Sequence, residues 1–337
     1  MNASIRDRLD RPMRDLRISV TDRCNFRCTY CMPKEMFGNG YAFVPKEELL
    51  SNDEMIRLVR LFVRLGVKKI RLTGGEPLLR TKLNELIEQI AAVDGVEDIA
   101  LTTNGLLLRQ YGKGLYDAGL RRLNISLDAL TPDVFGRMNG RGIDPARILD
   151  HIDFAAQLGF DIKVNMVVQK GVNDAEIIPM ADYCKEQKWT LRLIEFMDVG
   201  NDNGWSHERV TTKREMLQLL MQEYELEPEE PERFGEVAQY YRYRQSQARI
   251  GFIASVSEPF CSSCTRMRLS SEGKLYTCLF ASNGFDLRNM MRGGSTNEEL
   301  LEAIKKVWLQ RTDRYSDERT EYAAKERKKI GMSYIGG

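Results

Sequence analysis

Six short apolar, β-branched runs, separated by helical stretches, limit the possible folds of this chain more than any other feature. They are LRISVT (16–21), KKIRLTG (68–74), EDIALTTN (97–104), RRLNISLD (121–128), DIKVNMVV (161–168) and TLRLIEFM (190–197). Between them, residues 52–66, 83–93, 145–160 and 176–187 carry apolar side chains three and four apart, the period of a helix covering a core. Strict alternation of strand and helix builds a parallel sheet through right-handed crossovers. An open doubly wound sheet and a barrel share that pattern. Polar or glycine residues recur where the strands finish, at Thr21, Thr73–Gly75, Thr102–Asn104, Ser126 and Asp128. Barrels gather their chemistry at many strand ends, whereas a doubly wound sheet concentrates it at one switch point. Six units fall short of eight, so the expected α/β fold is an incomplete (β/α)6 TIM-type barrel.

After residue 198 the alternation lapses into a loop (DVGNDNGW), a helix (TTKREMLQLLMQEY) and an acidic, proline-bearing linker (EPEEPERFGE). A hairpin follows in RMRLSSEGKLYTCLF, turning at Ser271–Glu272–Gly273. These features divide the chain into a barrel, 1–234, and a smaller α+β extension, 235–337. With 42% hydrophobic and 29% charged residues the chain is too apolar to be disordered, and its net charge of +1 offers no global field for nucleic acid or an anionic membrane. No apolar run approaches the roughly 20 residues of a membrane span. The start, MNASIRDRLDRPMRDL, lacks the apolar segment of a signal peptide, so a cytoplasmic location is expected.

In a reducing compartment, seven cysteines point to metal rather than disulfides. Six fall into two groups, Cys24, Cys28, Cys31 in CNFRCTYC and Cys261, Cys264, Cys278 in FCSSCTRMRLSSEGKLYTC. Cys184 stands alone in a helical stretch and reads as a half-buried structural thiol. Structural zinc is closed by four Cys or His ligands, and both histidines, His151 and His207, lie far from the first group and read as surface residues. Two sets of three suggest two metal centres, each with one position open. Thiolate-only ligation suits iron–sulfur clusters, and a [4Fe–4S] cube held by three cysteines presents its fourth iron to another ligand.

C-x3-C-x2-C directly after a strand resembles the signature of the radical S-adenosylmethionine (SAM) superfamily, and LTGGEPLLR (72–80) resembles its glycine-rich motif. With the second cysteine group, the chain resembles the GTP 3′,8-cyclase (MoaA) family from DLRISVTDRCNFRCTYCMP to Gly336–Gly337. The resemblance implies two [4Fe–4S] clusters, the first on Cys24, Cys28 and Cys31 and the second on Cys261, Cys264 and Cys278. It implies SAM contacts at Tyr30, Gly75, Ser126 and Met197, and GTP contacts at Arg17, Arg71, Thr102, Lys163, Arg192, Arg266, Met267 and Arg268. It also carries Gly336 and Gly337 into the active site, although a frayed tail is the default for any C-terminus. The implied activity is radical closure of C3′ of the GTP ribose onto C8 of guanine, the first step of molybdenum cofactor biosynthesis. The implied partners are an electron donor and, by product transfer, cyclic pyranopterin monophosphate synthase, and a homodimer is admitted. FGRMNGRG (135–142) receives no role.

The residues add a separate argument. Arg17, Arg71, Lys163 and Arg192 lie inside runs that otherwise read as apolar, where an unpaired cation is costly. A parallel strand offers them no solvated face except a barrel interior, and several inward cations need an anion. A triphosphate suits arginine forks. A peptide-modifying radical SAM enzyme with an auxiliary cluster leaves these cations without a purpose. An iron–sulfur sensor or a zinc nucleic-acid module leaves the GGEP segment unexplained.

Overall fold

Each of the six runs becomes a strand of a single sheet in the computed structural model, which describes residues 4–201, 203–244, 246–320 and 329–336. They are β1 (Asp15–Ser19), β2 (Lys69–Thr73), β3 (Asp98–Thr103), β4 (Arg122–Ser126), β5 (Asp161–Val168) and β6 (Thr190–Glu195), paired parallel in chain order. Helices Asn52–Arg64, Leu83–Ala91, Pro145–Gln157 and Ile177–Glu186 occupy the four periodic stretches. The first is fixed by a capping box. The Ser51 hydroxyl accepts the Glu54 N–H at 3.1 Å, and the Glu54 carboxylate accepts the Ser51 N–H at 2.8 Å. Two further crossover helices, Leu108–Asp117 and Pro132–Asn139, escape the periodicity argument because Gly112, Gly114 and Gly136 are poor helix formers.

The C-terminal region adds strands to both edges of this sheet. β7 (Leu226–Pro228), β8 (Gln239–Tyr243) and β9 (Arg249–Ile253) form a meander whose last strand runs parallel to β6. On the other side β10 (Arg266–Leu269) runs parallel to β1, followed by antiparallel β11 (Lys274–Tyr276) and β12 (Phe285–Asp286). Eight consecutive strands, β10-β1-β2-β3-β4-β5-β6-β9, are therefore parallel, and β9 and β10 do not pair, so the barrel stays open at that seam. The hairpin forms where expected, with Arg268 opposite Tyr276. Part of the acidic linker is instead strand β7, because its backbone pairs with β8 while its carboxylates stay in solvent.

Along the barrel strands the two faces differ in kind. Leu16, Ile18, Ile70, Leu72, Leu123, Ile125, Val164, Leu191 and Leu193 are buried in the core between strands and helices. The alternate residues Arg17, Arg71, Asn124, Lys163 and Arg192 line an internal cavity. A closed eight-stranded barrel fills that space with layers of branched apolar side chains. Here most inward positions are polar, Ala100, Ile194 and Ile253 excepted, and the space stays open. His151 is buried rather than on the surface, its Nδ1 3.2 Å from the Gly105 carbonyl, while His207 is exposed. Cys184 is fully, not half, buried in the helical core. Among the described residues no helix is long and apolar enough to cross a membrane.

Glu195, at the end of β6, fastens the C-terminal region to the barrel. It is fully buried and accepts N–H groups from Lys213 (2.7 Å), Val256 (2.8 Å) and Ser257 (2.9 Å), together with the Ser257 hydroxyl. Glu195→Ala strands these donors, each at about 1–3 kcal/mol. Urea unfolding is expected to show a loss of about 3 kcal/mol or more, and Glu195→Gln, whose amide oxygen still accepts, a smaller one.

Candidate active site

The N-terminal cysteines lie on the loop that leaves the C-terminal end of β1, and the GGEP segment leaves β2 beside them. Gly75 N–H donates to the Thr21 carbonyl at 2.8 Å and Glu76 N–H to the Arg23 carbonyl at 2.8 Å. Glycine is required for this approach: Gly74 has φ +145°, and a Cβ on Gly75 would stand 2.3 Å from the Arg23 carbonyl oxygen. The Glu76 carboxylate turns inward, accepting from Leu78 N–H (3.0 Å), Thr103 Oγ1 (2.7 Å) and Asn104 N–H (2.8 Å), and burial pushes its pKa up to about 7. The unassigned stretch 135–142 braces the loop from behind. Arg27 N–H donates to Asn139 O at 2.9 Å and Thr29 N–H to Met138 O at 3.0 Å.

Tyr30 is buried, and its hydroxyl donates to Asp128 Oδ2 at 2.8 Å, while Asp128 Oδ1 accepts the Val167 N–H at 2.9 Å. Burial raises Asp128 to about 6. Ser126, the last residue of β4, and Met197, two residues beyond β6, complete this end; Met197 also borders the cavity. Burial, then charge repulsion, raises the thiols: Cys24 by burial and Glu76, Cys31 by burial and Cys24, each to about 12, and Cys28 by burial and Cys24 well above its ordinary value. These sulfurs stay protonated unless a bound cation draws the proton off, which is the condition a metal cluster meets. The donor set, three thiols on eight residues of one loop, fits such a group.

The C-terminal cysteines border the cavity near the opposite ends of the strands. Cys264 precedes β10, which runs parallel to β1, and Cys278 follows antiparallel β11. Cys264 differs from the N-terminal thiols. Burial pushes it up, but the guanidiniums of Arg266 (Nη2–Sγ 3.2 Å) and Arg311 (Nη2–Sγ 3.1 Å) prevail and bring it down to about 6, a ready thiolate. Burial followed by Asp313 raises Cys278 to about 11.

Between the two groups the predicted cations converge. Arg17 Nε and Arg192 Nε are buried without a hydrogen-bond partner. Burial, then the like charges of Arg268, Arg266 and Arg71, lower Arg17 well below its usual value, and burial, then Arg122 and Arg192, lower Lys163 to about 8. Arg71 and Arg122 both donate to Asp98 Oδ2 at 2.6 Å. Arg192 donates to Asn124 Oδ1 at 2.5 Å, and Asn124 Nδ2 lies 3.4 Å from Thr102 Oγ1. Arg266 and Arg268 line the cavity, while the intervening Met267 side chain is fully buried in the outer core. Lys69, Arg122 and Arg311 also line it and escaped the sequence reading. The period-two spacing of Lys69 with Arg71 and of Arg122 with Asn124 is the signal that marks the first two; Arg311 follows a helix and carries no such signal.

The C-terminus is docked rather than frayed over its described residues. Lys329 Nζ reaches Asp198 Oδ2 at 2.8 Å, Ile330 N–H donates to the Ala281 carbonyl at 3.1 Å, and Ile335 is fully buried against Tyr276 and Ala281. Tyr334 donates its hydroxyl to Glu272, and Arg268 donates to the Gly336 carbonyl. Gly336 has φ +73°, and a Cβ there would meet Thr73 Cγ2 at 2.2 Å. It is thus wedged between two cavity-lining residues. Gly337 lies outside the described residues.

Known proteins resemble the chain along its whole length. The Radical SAM superfamily model matches residues 18–184 and the Molybdenum Cofactor Synthesis C model residues 189–317. GTP 3′,8-cyclases of Staphylococcus haemolyticus and Staphylococcus aureus are each 56% identical over 340 residues, covering 100% of both chains. That of Staphylococcus saprophyticus is 57% identical with the same coverage. In fold, the chain is similar to Streptococcus suis SuiB bound to precursor peptide SuiA, with a TM-score of 0.63 at 15% identity over 90% of this chain and 66% of that one. SuiB bound to S-adenosylmethionine gives a TM-score of 0.61, again at 15% identity, over 96% and 76%.

Anaerobic reconstitution is expected to load about eight irons per chain, from two four-iron clusters. In Gly75→Ala the added methyl drives against the Arg23 backbone and displaces the N-terminal cysteine loop, so iron analysis should give about four.

Proposed function

The chain belongs to the GTP 3′,8-cyclase family of radical SAM enzymes, and from that premise we propose how its own residues divide the work. The reaction is conversion of GTP to (8S)-3′,8-cyclo-7,8-dihydroguanosine 5′-triphosphate, the first step of molybdenum cofactor biosynthesis, with two [4Fe–4S] clusters and SAM as cofactors. In this reading Cys24, Cys28 and Cys31 hold the cluster that faces SAM, and Cys261, Cys264 and Cys278 the cluster that faces guanine. When bound, the N-terminal cluster and SAM supply the radical that takes hydrogen from C3′, after which C3′ closes onto C8 and one electron and one proton complete an isomer of GTP.

The residues bind, orient and exclude water. Gly75, Ser126, Met197 and the Tyr30–Asp128 pair shape the SAM side. Arg17, Arg71, Lys163, Arg192, Arg266 and Arg268 take the triphosphate and purine, with Thr102 and the Met267 backbone beside them. Gly336, with Gly337 beyond it, closes the space at Thr73. The observation that carries this reading is the pair of buried, unpartnered Nε atoms of Arg17 and Arg192 within a cavity bordered by one cysteine group. The seven free cysteines favour a reducing cytoplasm. An external one-electron donor and product transfer to cyclic pyranopterin monophosphate synthase complete the proposal. The SuiB resemblance is one of fold, and a peptide substrate finds no use for the inward cations.

Anaerobic incubation with SAM, a reductant and GTP should yield 5′-deoxyadenosine and a product of the mass of GTP with altered chromatography; absence of both overturns the reading. Arg17→Ala should weaken GTP binding by about tenfold or more, the loss of a charge-assisted bond of roughly 1.5–3 kcal/mol, with SAM affinity unchanged. Lys163 is cationic below about pH 8 and loses its proton above it. GTP affinity should therefore fall as pH rises from 7 to 9, and Lys163→Arg should flatten that part of the profile in a calorimetric titration.

A further inference from the structure

The sulfurs of the two cysteine groups receive different donors. Cys24 Sγ receives neutral donors, Phe26 N–H at 3.3 Å and Asn104 Nδ2 at 4.0 Å, with the carboxyls of Glu76 and Asp128 close to its group. Cys264 Sγ receives two guanidiniums, from Arg266 at 3.2 Å and Arg311 at 3.1 Å.

These two arginines are held differently. Both line the cavity, and Arg266 rests over the Phe260 ring, 5.1 Å from its centroid. The Arg311 side chain is 2% exposed and fixed from several sides. Its Nη1 donates to the Cys264 carbonyl at 2.9 Å and lies 3.7 Å from Asp7, its Nε donates to Asp313 at 3.2 Å, and its guanidinium stands 4.7 Å from the Trp308 ring centroid. Asp7 is in turn held by buried Arg11, which also donates to the Cys261 carbonyl at 2.9 Å. Arg311 is therefore held on the sulfur by contacts within the protein itself.

We propose that Arg311 is a positioning residue that sets the reduction potential of the C-terminal cluster through its bond to the Cys264 sulfur, and holds that potential above the N-terminal cluster's. The proposal rests on the reading that Cys261, Cys264 and Cys278 hold that cluster. One-electron reduction adds a negative charge to a cluster. Hydrogen bonds and cations at its sulfurs stabilise the reduced form and raise the potential, while nearby carboxylates lower it. Arg311, Arg266 and Arg268 outweigh Asp7 and Asp313 at the C-terminal site once Arg11 has matched one carboxylate. The N-terminal site has carboxyls, with Arg27 as a nearby cation that donates to the Cys24 carbonyl at 2.8 Å, and no guanidinium on its sulfurs among the bonds described.

The test is a dithionite redox titration of the reconstituted full chain, followed by electron paramagnetic resonance, with iron counted in every sample. Variants lacking Cys24, Cys28 and Cys31 together, or Cys261, Cys264 and Cys278 together, assign the two signals. The C-terminal signal should titrate at the higher potential. Arg311→Gln should shift that signal alone to lower potential at matched iron content, and Arg311→Lys, which keeps the charge without the fork, should shift it less. An unchanged potential in both, a parent C-terminal potential below the N-terminal one, or loss of C-terminal iron from both variants overturns the proposal, the last by reducing Arg311 to a loop support. If both signals survive without Cys261, Cys264 and Cys278, the ligand reading fails first, and the proposal with it.

Discussion

Repulsion between buried guanidiniums governs this structure. Inward positions on β1, β2, β4, β5, β6 and β10 present Arg17, Arg71, Arg122, Lys163, Arg192, Arg266 and Arg268 to one space. Such a face cannot collapse into the apolar layers of an ordinary barrel, because a buried cation without a partner is costly. The protein offsets part of the cost internally: Asp98 bridges Arg71 and Arg122, Asn124 holds Arg192, and the Gly336 carbonyl meets Arg268. The Nε of Arg17 is left without a hydrogen-bond partner. Walls that carry like charges resist collapse, and the cavity presents unmet electrostatic demand of a kind an anion would answer.

A parallel barrel has two unlike ends, and this chain uses both. The finishing ends of the strands carry the first cysteine loop, the GGEP turn and Asp128. The starting ends carry Cys264 and Arg266. Chemistry at the starting end is unusual for the architecture. It is possible here because the barrel is open between β9 and β10, and the segment joining those strands, which bears Cys261 and Cys264, borders the interior.

The barrel was legible because its strands are short, apolar and regularly interrupted, and because two faces of each strand follow a period of two. Both cysteine groups and the inward cations Arg17, Arg71, Lys163 and Arg192 followed from residue type and placement, whereas Lys69, Arg122 and Arg311 did not. Other features needed distances that no local pattern encodes. Asp98 reads as an ordinary strand-start acid until its oxygen is seen between two arginines. His151 looks like a helix surface residue until its helix packs on Gly105. Arg311 comes close to Cys264 across 47 residues of chain. The FGRMNGRG stretch carried no interpretable pattern, since its contribution is made by backbone carbonyls at Met138 and Asn139. Met267 is expected in the site from the family resemblance, and alternation turns its side chain to the outer face.

The placement of β9 and β10 has a further consequence for how the protein is made. β1 leaves the ribosome well before its outer neighbour β10, which lies about 250 residues later in the chain. The outer edge of β6 likewise waits for β9. Until both arrive, the nascent sheet has two unpaired edges, the feature that most readily recruits another strand. A chain that stops early thus lacks its second cysteine group and keeps both edges exposed, which marks it for aggregation or proteolysis.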